Sequence, residues 1–192
     1  MYDKYLALAQ PAESGIEAGA IGEILSRKTA LTGEPGAKDD YFDEKIRAAT
    51  SDRERFEWYR RKADAVDATE RTKIEEEMIA QFLHSDEEGI AGQVARLLFR
   101  KVLFTPDPAE KSRLCDLLIE RYQNASDRQA QSCAIRAFVA KASLIDDEAG
   151  KLKLYDTVIE RYKSIDDFWV KDAVDAAIAA RFRLLNRGGG GK

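Results

Sequence analysis

The chain has 192 residues, 44% of them hydrophobic and 34% charged, with a formal net charge of -4 and a pI near 5.3. This is enough chain to bury one substantial domain, or one elongated array, beneath a heavily charged surface. The acidic balance argues against a phosphate polymer as the main partner, and no stretch of about 18 apolar residues marks a membrane span.

The N-terminal MYDKYLALAQPAESG carries a charge inside its apolar run and has no hydrophobic core of signal-peptide length. Two cysteines, Cys115 and Cys133, supply neither a disulfide framework nor a zinc set, and free thiols suit a reducing compartment. The expectation is a cytoplasmic protein.

In chain order, residues 2–9 predict a short helix stopped by Pro11, and 13–31 a second with Ile16, Ala20, Ile24 and Leu31 at helical spacing. The segment 32–40, TGEPGAKDD, reads as a loop, and 41–49 as a helix with Phe42 and Ile46 on one side. Residues 1–50 are thus expected to form an irregular helical cap. Ser51-Asp-Arg-Glu54 spells a capping box that opens a helix to about residue 66, and residues 67–70 start the next.

Beyond this point a period of forty residues organises the chain. AEKSRLCDLLIERYQNASD (109–127) returns as AGKLKLYDTVIERYKSIDD (149–167) with nine of nineteen positions identical, and TERTKIEEEMIAQFLHSDE (69–87) keeps the pattern. Such a period marks stacked helix hairpins. One helix of each pair should turn inward Ile74, Met78, Phe82; Leu114, Leu118, Tyr122; and Leu154, Val158, Tyr162. The other should turn inward Val94, Leu98, Val102; Ala134, Phe138, Ala142; and Val174, Ile178, Phe182. Ser85-x-x-Glu88 and Ser126-x-x-Gln129 read as capping boxes, Thr105-Pro-Asp-Pro108 as a breaker and helix start, and Asp146 and Asp166 as caps. The array should occupy residues 51–186, with 187–192, RGGGGK, as a flexible tail.

QVARLLFRK (93–101), LCDLLIERYQNASD and LYDTVIERYKSIDD resemble the bacterial tetratricopeptide repeats, in the variety with units of about forty residues. The likeness spans residues 70–185. It implies an all-α fold of antiparallel helix hairpins stacked as a right-handed α-solenoid, and a scaffold that binds a protein or peptide on its concave face. Where the family usually has a glycine this chain has Val102, Ala142 and Phe182, and where it has a small alanine this chain has Lys111 and Lys151, so a more open or irregular superhelix is expected. By resemblance Arg96 and Arg136 fall on the concave side with Phe56, Tyr59, Phe99 and Val139, a mixture of arginine and aromatic residues that suits binding hot spots.

Other tempting residues have plainer readings. The basic ladder Arg61, Lys101, Lys141 and Arg181 could line a groove, but the periodic acids Asp116, Asp156, Glu120 and Glu160 are natural surface partners for it. His84, alone of its kind, reads as a helix-end residue. Cys115 and Cys133 read as core filler, and Glu75, Glu76 and Glu77 as a solvated face, because consecutive helical side chains diverge. No catalytic, metal or cofactor motif is spelled, so no cofactor is expected. The resulting expectation is a non-enzymatic protein–protein interaction module. The alternatives are an immunity or inhibitor protein that neutralises a bacterial effector, and a nucleic-acid-associated regulator. An uncapped array end offers a route to homo-oligomers.

Overall fold

A computed structural model describes residues 37–187 apart from 86 and 88; the expected helices at 2–9 and 13–31 and the tail at 188–192 lie outside the described residues. These residues form eight α-helices and no strand: α1 Ala37–Ala48, α2 Asp52–Asp64, α3 Ala68–Phe82, α4 Ile90–Phe104, α5 Pro108–Tyr122, α6 Arg128–Ala142, α7 Glu148–Tyr162 and α8 Phe168–Arg187. Helix α1 starts at Ala37, so residues 37–40 are helical and not the loop expected there. The chain divides into two compact units between Ile90 and Ala91.

In the first unit α2 packs against both α1 and α3. Phe42, Ile46 and Ala49 share a core with Trp58, so the segment around α1 is joined to α2 by buried apolar surface. The Tyr41 ring meets Trp58 edge-on at 6.2 Å, and Lys62 reaches Asp43 at 2.7 Å. The Ser51 hydroxyl accepts from the Glu54 amide at 3.1 Å, as the capping-box spelling predicts. The Glu54 carboxylate accepts from the Thr50 amide at 2.9 Å, one residue before the position that the motif normally serves. Ile74, Met78 and Phe82 are all buried, as their spacing requires.

In the second unit α6 is central, in contact with α5, α7 and α8, while α8 also packs on α7. Ile135, Val158, Tyr162, Val170, Ala173, Val174 and Ala177 form one buried cluster across α6, α7 and α8. Leu114, Leu118 and Tyr122 are buried, as are Val94, Leu98 and Val102. The end of α5 is tied to α6 and α7 by polar links as well. The Gln123 carbonyl accepts from the Tyr162 hydroxyl at 3.0 Å and from the Gln131 amide group at 3.1 Å. Arg161 donates to the side chains of Gln123 and Asn124 at 2.8 and 2.6 Å.

Helix starts follow a rule finer than the forty-residue period. The N-caps of α3, α5 and α7 are Asp67, Asp107 and Asp147, and those of α6 and α8 are Asp127 and Asp167. From Asp107 onward the cap therefore falls at intervals of twenty, whereas α4, which starts at Ile90, has no aspartate cap. Ser126, Asp146 and Asp166, expected as caps, stand one residue too early. A carboxylate accepts from the first free amides and complements the helix dipole together, which favours Asp at this position. Ser85 does not cap α4: its hydroxyl accepts from the Glu87 amide at 3.4 Å, and the helix begins only after Gly89, whose φ of 84° favours glycine.

Asp127 does more than its counterparts. One oxygen accepts from the Ala130 amide at 3.0 Å, and the other from the Gly92 amide in the first turn of α4 at 3.1 Å. A Cβ at position 92 would stand 2.8 Å from Asp127 Oδ1 and 2.9 Å from Gln129 Oε1. In a free helix Gly→Ala stabilises by about 0.5 to 1 kcal/mol; here the added methyl must push a carboxylate that two helix starts hold in place. We expect Gly92→Ala to lower the thermal midpoint followed by circular dichroism. Asp127→Ala should cost about 1 to 3 kcal/mol, and Asp107→Ala only about 1, because Asp107 caps its own helix alone. Equal losses from the two Asp variants would show that the Gly92 contact adds nothing.

Candidate functional site

The six residues expected at the binding face do not share one environment. Phe56 is only 2% exposed, its ring edge-on to Phe82 at 5.2 Å, and it belongs to the interior of the first unit. Tyr59 is half-buried, 5.9 Å from the same ring and packed against the Trp58 cluster. Phe56 is therefore no surface contact, because its apolar ring helps to hold α2 to α3.

The other four lie in the second unit, at equivalent positions of α4 and α6. Arg96 is exposed and, among the described residues, makes no ion pair; Phe99 is half-buried. Arg136 pairs with Asp172 of α8, and Val139 packs against the α6–α7–α8 cluster. The difference between the arginines is in the sequence: thirty-six residues after Arg136 stands Asp172, and thirty-six after Arg96 stands Ser132. Both guanidinium charges lie close enough to the Cys133 thiol to act against the rise that burial gives it.

The basic ladder takes its plainer reading in this unit. Lys141 pairs with Asp116, and forty residues on Arg181 pairs with Asp156 at 2.5 Å. Earlier on the ladder, Arg61 stacks over the Trp58 ring at 5.2 Å. His84 is exposed just beyond the end of α3. Among the described residues no three His, Cys, Asp or Glu side chains stand close enough to hold a metal, and no helix is long and apolar enough to cross a membrane. A depression on the outer face of α7, bordered by Leu152, Asp156 and Glu160, lies wide open to solvent. It does not enclose a small molecule as a ligand cleft would.

Cys115 and Cys133 are buried, as core filler should be, and burial pushes both thiols up to about 11 from a usual value near 9. They stay protonated near neutrality and are poor nucleophiles.

The surface that the periodicity did not reveal is on α8. Ile178 and Phe182 were expected to face inward, but they are 45% and 65% exposed. The equivalent Phe138 of α6 packs against the cluster that α7 and α8 help to build, whereas no helix among the described residues follows α8. With Phe168 at 73% and Leu185 at 47%, they form an exposed apolar row; Trp169 stands beside it, edge-on to Phe168 at 5.4 Å. No protein-family model matches the chain, and neither does any curated protein or solved structure.

The thiols yield a check with a definite sign. A folded-state pKa above the unfolded one favours the folded state fully below pH 9, and that contribution is lost as the pH rises towards 11. Tyr41, Tyr59, Tyr155 and Tyr162, all raised by burial, extend the loss above pH 10. Thermal midpoints should thus fall between pH 9 and 10, and fall less steeply in a Cys115→Ala, Cys133→Ala variant. At pH 8 an aromatic disulfide reagent should label the folded protein at least about tenfold more slowly than the denatured one. Equal labelling rates would place the thiols at the surface.

Proposed function

We propose that this protein is a protein-binding module, a tetratricopeptide-like stack of helix hairpins in which α8 presents the binding surface. The observation that supports the reading is the exposed apolar row Phe168, Ile178, Phe182 and Leu185 on one helix of an otherwise heavily charged chain. Aromatic and aliphatic side chains grouped in this way are unfavourable in water and mark the centres of protein contacts. The forty-residue period, the caps at intervals of twenty and the contact of α6 with α8 all suit a stack of hairpins, for which a right-handed solenoid is the proposed form.

A second contact is proposed at Arg96 and Phe99. Arg96 is exposed without an ion pair, whereas Arg136 is already matched by Asp172, so an acidic group of a partner would find its counter-charge at Arg96. Tyr59, Arg136 and Val139 then support the fold more than they touch a partner.

The two surfaces separate in one experiment. Wild type, Ile178→Glu with Phe182→Glu, and Arg96→Glu would be used to capture proteins from the source cytosol, each variant first shown to be helical and cooperative in melting. A protein held by wild type and by Arg96→Glu, but at least about tenfold depleted on the α8 variant, is the expected result. Equal retention by all three would overturn the reading of both surfaces.

A further inference from the structure

The α8 row has an internal order that names its partner. Phe168, Lys171, Asp175, Ile178, Phe182 and Leu185 are separated by three, four, three, four and three residues, and all six are exposed. Alternating steps of three and four are the spacing of a helix–helix seam, in which each side chain enters a hole on a facing helix. Any single face of a helix has this spacing, so it suits a facing helix without requiring one. The charges at Lys171 and Asp175 indicate which helix.

We propose that the occupant is α8 of a second copy of this chain, antiparallel and related by a two-fold axis. The proposal rests on the reading of the α8 row as a binding surface. With the axis crossing the seam at the level of Ala173, whose own side chain faces the interior, Phe168 meets the second copy's Ile178 and Lys171 meets its Asp175, and the symmetry makes each contact twice. The order apolar, basic, acidic, apolar is complementary to itself when reversed, as an isologous interface requires. Phe182 then extends past the start of the facing α8 onto the connector before it.

Sliding the helices by one heptad would bring Phe168 to Leu185, but it would set Asp175 against Ile178 and close to its own symmetry mate, without a counter-charge. Charge matching therefore selects the first register. Lys171 is not idle in one copy: it pairs with Asp166, at the solvent-exposed edge. An exposed pair of this kind is worth little, and Lys171 can exchange it for Asp175 of the facing helix at small cost.

Sedimentation equilibrium on the full chain over about 1 to 500 µM tests this, within the range expected of a small interface. Wild type should show a concentration-dependent monomer–dimer equilibrium. Lys171→Asp and Asp175→Lys should each weaken the dimer by about tenfold or more, and the double exchange should restore most of the loss. Ile178→Glu, with helicity checked by circular dichroism, should abolish it. A wild type that is monomeric throughout would overturn self-pairing while leaving the α8 row available to a different protein. A dimer indifferent to the charge reversals, or one not rescued by the double exchange, would overturn the two-fold register. A dimer that survives Ile178→Glu would overturn α8 as its seat.

Discussion

A helix leaves its first amides without partners, and in this chain an aspartate at each of five helix starts answers that need. Asp67, Asp107, Asp127, Asp147 and Asp167 stop one helix's approach and begin the next. With caps twenty residues apart from Asp107 to Asp167, the helices between them are equal: α5, α6 and α7 have fifteen residues each. Equal length in turn lets the apolar rows of neighbouring helices meet in phase. Asp127 carries this furthest, because its second oxygen fixes the start of α4 to the start of α6 and leaves room for nothing larger than hydrogen on Gly92.

Much of the packing was legible before any coordinates. Spacing by four placed Ile74, Met78 and Phe82, Leu114, Leu118 and Tyr122, and Val94, Leu98 and Val102 in the interior, where they lie. The caps were misjudged by one residue because Ser126, Asp146 and Asp166 are also good capping types. The decision between adjacent candidates belongs to backbone geometry that no composition rule contains. Asp127 and Asp167 were nonetheless identical in the aligned repeats, and that identity was the available signal.

The surface was harder to read for a different reason. Periodicity tells which face of a helix is apolar, and it is silent on whether anything covers that face. Ile178 and Phe182 continue the inward row of Val174 without fault, yet they end in solvent because no described helix follows. Phe56 errs in the opposite direction: an aromatic residue that suits a binding face was taken up by the core through Phe82. Arg136 and Arg96 look alike in sequence until Asp172 and Ser132 are compared, a distinction that needs the helix-to-helix contact to become visible.

The twenty-residue interval also governs how such a chain can change in length. An insertion of two intervals, one helix pair, returns every later aspartate to a helix start and keeps the direction of every later helix. Within a helix, an insertion of another size turns the rows beyond it away from their partners, since each residue rotates a helix by about 100°, whereas in a turn it only lengthens the connector. Gln123, held at once by Tyr162 and Gln131, ties the end of α5 to both of the helices that follow it, so a change of length there must respect two partners together.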